Sequence, residues 1–384
     1  MTSKTNWPLV WLLWAAGLGA GAQYGKISVI FDRLPALYPD AGAALGFLVS
    51  LVGVLGIVLG VVAGVLVARI GYRRALLAAL VAGAGVSVLQ SVLPSLPVFL
   101  ASRVIEGASH LAIVVAAPTL IAELSAPKDA PRSLTLWSTF FGVAFALLAW
   151  LGVPLADRYG VGALMGAHGI YMAVMAVVLW PRLPTVVATP ETPSLHELLR
   201  AHQRIYSSAR IGAPALGWLF YTVCFVSVLT VLPPFLPEAS RMATLGAMPL
   251  LSILSSLTLG MFLLRYVSAV TVVVTGFLIC AGVTVLLAVW PGLPVLALCL
   301  GVALGLVQGA TFASVSQLTP DVSGRALANG GLAQMGNIGN TAGTPLMVAV
   351  IGVMGYGGLI WTLASLLLAG AVVHLALAAA RRSE

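Results

Sequence analysis

The chain has very few charged residues. Of its 384 residues, 8% are charged and 60% are hydrophobic. A soluble domain carries about 25% charged residues, so this composition excludes a soluble globular protein. Disordered chains combine low hydrophobicity with high charge, so the composition also excludes disorder.

Cysteine is scarce as well, and familiar catalytic signatures are missing. The three cysteines (Cys224, Cys280 and Cys299) all lie inside apolar runs, which excludes a disulfide framework or a zinc knuckle. The sequence contains no GxxxxGK[ST] loop, no GxSxG elbow and no HExxH pair. We therefore expect a protein that is not an enzyme and that uses no metal and no cofactor.

Long apolar runs dominate the sequence. A membrane helix needs about 20 mostly apolar residues, and twelve runs meet that length. The first has no small-residue cleavage site and is expected to be a retained helix rather than a signal peptide. We predict an all-α integral membrane protein with transmembrane helices at roughly 7–31, 43–68, 75–93, 97–124, 132–155, 161–180, 211–236, 244–264, 268–289, 294–317, 326–352 and 357–379.

The basic residues predict the orientation in the membrane. Most of them fall at the N-terminus, at the C-terminus and in the even-numbered loops, whereas the odd-numbered loops hold only Arg33, Arg158 and Arg241. By the positive-inside rule, both termini are cytoplasmic. The net charge of +8 needs no nucleic-acid partner, because the basic residues face the anionic headgroups of the lipid bilayer. We expect a multi-pass protein of the bacterial inner membrane.

The sequence divides into two apolar halves that are joined by a polar stretch. We predict six-helix bundles at 1–180 and 211–384, and a cytoplasmic linker at 181–210 that is either an amphipathic surface helix or a plain tether. Short patterns recur between the halves at offsets of about 200 residues, as in parallel six-helix repeats. The recurring pairs are Pro94-Ser95-Leu96-Pro97 with Pro291-Gly292-Leu293-Pro294, Gly64 and Arg69 with Gly260 and Arg265, and Glu106-Gly107 with Gln308-Gly309.

Two motifs make the chain resemble the major facilitator superfamily. The loop after the second span reads Gly64-Val65-Leu66-Val67-Ala68-Arg69-Ile70-Gly71-Tyr72-Arg73-Arg74, with Ala68 in place of the family's acid, and the fourth span carries Arg103-Val104-Ile105-Glu106-Gly107. The segment from Asp32 to Pro39 is loosely similar to drug:proton antiporters, although their fifth-helix Gly-Pro-x-x-Gly-Gly motif is missing. The resemblance implies two pseudo-symmetric six-helix bundles that alternate access to a central site. It assigns gating roles to Gly64, Arg69, Gly71, Arg73, Arg74 and Gly107, and Asp32 and Arg33 form either an outer gate or a surface pair.

Ionisable residues inside spans are costly in lipid and by default mark a pathway or a proton relay. Arg103, Glu106 and His110 share one face of the fourth span, at i, i+3 and i+7. Burial favours the neutral acid at Glu106, and Arg103 favours the carboxylate. We assign proton coupling to these three residues, with a static ion pair and a structural histidine as the alternatives. His168 and His374 are expected to be structural or interfacial.

Lys26 lies at about the depth of Glu106, on the first span. It has three options: it can snorkel outward, pair with Glu106 or Asp32, or bind an anionic group of a substrate. Together with Gln23 and Tyr24 it is predicted to contact substrate.

The second half offers neutral polar groups instead. One face of the eleventh span carries a polar stripe, formed by Gln334, Asn337, Thr341 and Thr344. Exposing these polar groups to lipid would cost free energy, so the face is expected to lie inside the protein. We predict that Gln334, Asn337 and Thr341, together with Gln308 and Tyr221, line the substrate cavity. The alternative is interhelical hydrogen bonding worth about 0.6 kcal/mol per contact.

These features favour a secondary transporter that moves a small organic solute by alternating access, coupled to protons and working as a monomer. Lys26 and Arg103 outnumber Glu106, so an anionic or zwitterionic solute fits better than a cation. The leading hypothesis is proton-coupled export. The alternatives are proton symport or facilitated uptake of a small organic anion, a multidrug:proton antiporter and, in another class, a non-transporting membrane sensor.

Overall fold

A computed structural model describes residues 4–184 and 195–383 of the chain, and these residues form helices joined by short turns and loops, without a strand. The first-half helices are α1 (Trp7–Ser28), α2 (Leu34–Leu37), α3 (Leu45–Ser50), α4 (Val54–Ile70), α5 (Tyr72–Ser91), α6 (Leu96–Glu123), α7 (Ala130–Ser138), α8 (Phe140–Leu147), α9 (Val153–Tyr159) and α10 (Val161–Leu179). They are followed by α11 (Leu195–Ser207), α12 (Gly212–Val231), α13 (Glu238–Ser255), α14 (Met261–Leu263), α15 (Ala269–Val289), α16 (Pro294–Leu318) and α17 (Val322–Ser383). The prediction of an all-α fold is confirmed.

Ten helical stretches of the described chain are long and apolar enough to cross a membrane. One of them is Ser323–Arg382, whose 60 residues would extend roughly 90 Å as a straight helix, about three times the hydrocarbon core. It bends at Gly355, whose φ of +61° is open mainly to glycine, so we count it as two passes. Helix α1 is 22 residues long, but its tryptophans, glycines and Gln23 lower its mean hydropathy. With α1 and the divided α17, the ten stretches account for the twelve predicted spans.

Two of the spans are interrupted rather than straight. The fifth span consists of α7, α8 and α9 and contains a π-helical turn at Leu148–Gly152. The eighth span has a similar turn at Ser256–Gly260, between α13 and α14. Such turns inside α-helices are frequent at functional sites.

The first compact unit comprises Met1–Tyr38 and Leu51–Thr192. In it α1 packs against α6, α8 and α10, and α5 packs against α6 and α10. These helices share an apolar core, and four of them (α1, α5, α6 and α10) surround one interior. Core residues include Leu13, Leu76, Ile113, Leu120 and Met172.

The second compact unit comprises Pro39–Ser50 and Pro193–Glu384. Helix α12 packs along α17, and α15 packs against α16 and α17. Helix α3 also contacts α17, where Gly46 lies against the backbone of Pro345. The division at 180 and 210 stays a prediction. Helix α11 lies within the predicted linker, of which residues 185–194 are outside the described part of the chain.

Candidate functional site

An ion network lies in the interior of the first unit, and Glu106 on α6 is its only anion. Lys26 Nζ, on α1, lies 2.7 Å from Glu106 Oε1. Arg103, one turn before Glu106 on α6, pairs through Nη1 with Oε2. All three side chains are fully buried, with 0% exposure. The sequence analysis allowed Lys26 to snorkel outward, to pair with Glu106 or Asp32, or to bind an anionic group of a substrate. The structure contains the pairing with Glu106.

The Lys26 ammonium has three protons and three acceptors within reach. Besides Glu106, Ser87 Oγ on α5 lies 2.8 Å from Nζ, and His168 Nδ1 on α10 lies 3.3 Å from it. Ser87 Oγ is also 2.7 Å from His168 Nδ1. His168 Nε2 lies 3.0 Å from the carbonyl of Gly19. A carbonyl only accepts, so Nε2 carries a proton. The ammonium of Lys26 only donates, so Nδ1 is assigned as the acceptor and His168 as a neutral ring.

Two glutamines complete the network. Gln90 Nε2, on α5, donates to Glu106 Oε2 at 2.8 Å and to Ser102 Oγ at 3.0 Å. Arg103 Nη2 donates to the backbone carbonyl of Gln23 at 2.5 Å. The Gln23 side chain donates to Ser109 Oγ at 2.9 Å. Gln23 is therefore a partner of the network from α1, as its predicted position beside Lys26 suggested.

Tyr24 and His110 lie next to this network and pack on each other. Their rings are edge to face, with centroids 5.2 Å apart. His110 Nδ1 lies 3.1 Å from the carbonyl of Ala20, and the Tyr24 hydroxyl is buried without a partner among the described residues. The structure thus brings together all six residues that the sequence assigned to the first-half site: Gln23, Tyr24, Lys26, Arg103, Glu106 and His110.

The charges of the network do not balance. Two cations, Lys26 and Arg103, surround the single carboxylate of Glu106, and His168 is neutral, so the cluster carries one excess positive charge. Removing ions from water costs several kcal/mol per ion in proteins. The buried cluster is therefore suited to an additional negative charge.

Apart from Gly64 and Gly107, which lie inside α4 and α6, the predicted gating residues lie at or near the ends of helices. Arg33 Nη2 is 2.8 Å from Asp157 Oδ1, in a pair that is partly exposed, and Asp32 belongs to the same short turn, Phe31–Arg33. Gly107 lies against the backbone carbonyl of Val52. Gly64 and Arg69 are exposed on α4, Gly71 joins α4 to α5, and Arg73 and Arg74 lie in the first turn of α5.

In the second unit, Tyr221 is part of an aromatic stack. Its ring stacks on Trp218 with centroids 4.3 Å apart and on Phe225 with centroids 5.3 Å apart. The Tyr221 hydroxyl donates to Gln308 Oε1 at 3.3 Å. The structure therefore brings these two predicted substrate residues together, one from α12 and one from α16.

The Gln334 side chain forms hydrogen bonds with residues of α11. It accepts a hydrogen bond from the Tyr206 hydroxyl at 2.7 Å, and its Nε2 lies 3.1 Å from His202 Nε2. Partial burial raises the pKa of Tyr206, which keeps the hydroxyl protonated as a donor. The Gln334 amide is thus occupied in this conformation by contacts that the sequence did not suggest.

Further along α17, the polar stripe has few partners. The Asn337 side chain donates to the carbonyl of Ala333, one turn earlier in the same helix, at 2.9 Å. The hydroxyls of Thr341 and Thr344 are buried without a partner among the described residues. Asn337 and Thr341 are half-buried, so their roles in substrate binding stay predictions.

Three members of the ion network were missed by sequence reasoning: Ser87, Gln90 and His168. Serine and glutamine inside an apolar run carry no charge signal, and His168 was expected to be structural or interfacial. A usable signal exists in the helix order. Polar residues at Ser87, Gln90 and His168 occur in spans that neighbour the first and fourth spans in this fold.

Comparisons with solved structures agree with this architecture. The fold is similar to the crystal structure of a D-xylose-proton symporter, with 17% sequence identity, a TM-score of 0.75, and coverage of 96% of this chain and 97% of the other. It is also similar to a bacterial homolog of the human lysosomal transporter Spinster, in an inward-facing and unoccupied conformation. That match has 12% identity, a TM-score of 0.72, and coverage of 99% and 96%. At these identities the similarity establishes the fold.

The sequence comparison gives the family. No curated protein matches the chain. The family model described as Major Facilitator Superfamily matches residues 12–270, which is more than half of the chain. This assigns the protein to multi-pass membrane transporters rather than to enzymes. The chain belongs to the major facilitator superfamily.

Proposed function

We propose that this secondary transporter moves a small organic anion together with protons, and that Glu106 is the group that binds the proton. The single observation that carries the proposal is the buried network in which Glu106 pairs with both Lys26 and Arg103. Lys26 Nζ lies 2.7 Å from the carboxylate, Arg103 pairs with its other oxygen, and none of the three is exposed. Intramembrane ionisable groups mark ion pathways and proton relays by default.

Protonation of Glu106 changes what the two cations can bind. With the carboxylate ionised, the cluster carries one excess positive charge; with the carboxylic acid neutral, it carries two. Lys26 and Arg103 then lose their ionic partner and attract an anion more strongly. Proton binding and anion binding therefore favour each other, and by linkage the effect is reciprocal.

This mutual dependence favours symport, which the sequence analysis gave as an alternative, over its leading hypothesis of export by proton antiport. Antiport requires the proton and the solute to compete, whereas here protonation creates the anion site. A cationic drug is disfavoured for the same reason, because Glu106 is already held by two cations. Since these charges are inaccessible in this conformation, the solute reaches them only as the bundles alternate access.

The neutral groups of the second unit would contribute orientation rather than charge. The Trp218, Tyr221 and Phe225 stack with Gln308 offers an apolar surface with hydrogen-bonding groups beside it. Such a combination is typical of small-molecule sites, which are mostly apolar with a few placed polar groups. Tyr221 and Gln308 are therefore the residues of the second unit that we propose to contact a solute.

The test is a proton-flux assay in proteoliposomes loaded with a pH-sensitive dye. Gluconate and citrate serve as membrane-impermeant anions, alanine as a zwitterion without net charge and tetraphenylphosphonium as a lipophilic cation. We expect an anion to acidify the lumen as it enters. Alkalinisation driven by the cation would instead identify multidrug:proton antiport, and absence of flux across a broad solute panel would favour a non-transporting sensor.

Two variants separate the proton step from solute binding. Glu106→Gln should abolish proton-driven accumulation and leave solute exchange between the two sides, because the neutral amide mimics the protonated acid. Arg33→Gln, which removes the partly exposed pair with Asp157, serves as a control and should keep proton coupling. If Glu106→Gln retains the wild-type pH dependence, Glu106 is not the coupling group.

A further inference from the structure

A groove on the first unit has a chemistry unlike that of the buried network. It has a volume of about 580 Å³ and runs along the start of α5, beside the residue that follows α10. Its basic end is formed by Arg73 and Arg74, and its walls include Leu77, Val81, Ala82 and Trp180. None of these residues contributes to the network of Lys26 and Glu106, so the groove is a separate site.

The basic end of the groove is preorganised but incompletely satisfied. Arg73 Nη2 donates to the backbone carbonyl of Trp180 at 2.9 Å, which fixes the direction of the guanidinium. The Nε of Arg73 is buried and has no partner among the described residues. Arg74 is exposed beside it, and the first turn of α5 adds the positive end of a helix dipole. A phosphate group matches this set of donors, because arginine binds phosphate through several parallel hydrogen bonds.

The apolar part of the groove has the length of one lipid leaflet. From Arg73 to Ala82 the helix rises roughly 14 Å, about half of the ~30 Å hydrocarbon core. Val81 is 58% exposed and Trp180 is 63% exposed. Tryptophan is enriched where the headgroups meet the hydrocarbon, so the position of Trp180 beside the arginines marks the same boundary.

We propose that this groove binds an anionic phospholipid, with its phosphate at Arg73 and Arg74 and one acyl chain along Leu77 and Val81. The described residues that line the groove include two cations and no acid. A zwitterionic headgroup would bring its own cation next to the arginines without a counterion, which disfavours it. Basic pockets between membrane helices are known to hold anionic headgroups.

The test measures lipid binding to the intact purified protein by native mass spectrometry. The lipids are dioleoyl phosphatidylglycerol and dioleoyl phosphatidylcholine, titrated separately. We expect the wild-type protein to bind phosphatidylglycerol at least fivefold more tightly, and Arg73→Gln/Arg74→Gln to lose that preference. Arg265→Gln is the matched control, because Arg265 is an exposed arginine in the corresponding loop of the second repeat, and it should keep the preference.

Two further arms distinguish a lipid from free phosphate and from an unspecific apolar surface. Ala78 lines the groove and is exposed, so Ala78→Phe should fill the acyl part and weaken phosphatidylglycerol binding about fivefold with both arginines present. Glycerol 3-phosphate should not compete at equal concentration. Competition by glycerol 3-phosphate, equal binding of the two lipids, or unchanged binding in the double arginine variant would each overturn the proposal. Lipid binding is compared only among variants whose melting temperature equals that of the wild-type protein.

Discussion

The interiors of the two units differ in whether their buried polar side chains carry a charge. In the first unit, Lys26, Arg103 and Glu106 are buried, and each makes contacts at hydrogen-bonding distance. In the second unit, the buried polar side chains of the described residues are hydroxyls of serine, threonine and Tyr221, together with His374. Among the described residues, some neutral groups lack a partner in both units, including the Tyr24 hydroxyl in the first and Thr344 and both ring nitrogens of His374 in the second.

This difference between the two units follows from the free-energy cost of burying a polar or charged group without a hydrogen-bond partner. A buried hydroxyl without a partner costs about 1–3 kcal/mol, which a large helical unit tolerates. An unpaired buried charge costs far more, so the charges of the first unit need a complete set of partners. We therefore expect the stability of the first unit to depend on the pairing of its charges, and that of the second to depend more on close helix packing. Changes that unpair a charge should test this contrast most strongly.

The largest effect is expected for Glu106→Gln. It removes the only anion of the network and leaves Lys26 and Arg103 buried beside each other. Breaking a buried pair by removing one partner costs about 3–5 kcal/mol. We expect a loss of this size in the free energy of unfolding, measured by denaturant titration of the purified protein in detergent.

A double variant shows whether that loss comes from charge. Lys26→Met/Glu106→Gln removes one charge of each sign and keeps the net charge of the cluster, so it should be more stable than Glu106→Gln alone. If the double variant is the less stable of the two, the loss reflects packing rather than unpaired charge. The same variant also provides a folded protein if Glu106→Gln does not express.

The second effect is smaller and concerns Ser87, which links Lys26 to His168 at 2.8 and 2.7 Å. Ser87→Ala removes an acceptor from the ammonium and a donor from the imidazole. Because one of these partners is charged, we expect a loss of about 1–3 kcal/mol in unfolding free energy. Exposed Ser138 supplies the control, and Ser138→Ala should be near neutral. Equal effects of the two substitutions would remove Ser87 from the network.

Sequence reasoning located the charges of this network but not all of their partners. Helical spacing placed Arg103 and Glu106 on one face, and a depth argument placed Lys26 opposite them, because rise per residue converts sequence position into depth. Ser87 and His168 were not identified because their contact with Lys26 depends on how α5 and α10 pack against α1. That packing depends on contacts between distant residues, such as Lys26 and His168, which are 142 positions apart, and periodicity within one helix does not encode them.

The second unit was less predictable for a related reason. The polar stripe of α17 was recognised from spacing, but spacing alone does not distinguish a cavity lining from a contact with another helix. In the structure, the Gln334 side chain at one end of the stripe is hydrogen-bonded to Tyr206 and His202 of α11. Thr341 and Thr344, further along, have no partner among the described residues. The distinction depends on where α11 docks, and a linker sequence contains little information on that.

A third prediction tests whether packing specifies the second unit. Gly343 on α17 lies against α12, where an added Cβ would collide with the backbone carbonyl of Val223. Overpacking of this kind costs about 1–3 kcal/mol, partly offset by the better helix propensity of alanine. We expect Gly343→Ala to lower the unfolding free energy. Gly330→Ala, on the same helix with open space around its Cα, should be neutral or stabilising by up to about 1 kcal/mol.

The smallest effect is expected for Thr344→Val, and it completes the comparison with Ser87. Thr344 is fully buried on α17, and its hydroxyl has no partner among the described residues. Valine replaces the hydroxyl with a methyl group of nearly the same shape, so no hydrogen bond is lost and an unsatisfied polar atom is removed. We expect the free energy of unfolding to stay within about 0.5 kcal/mol of wild type or to rise. A loss as large as that of Ser87→Ala would mean that Thr344 has a polar partner, such as an ordered water, and that the two interiors obey the same rule of pairing.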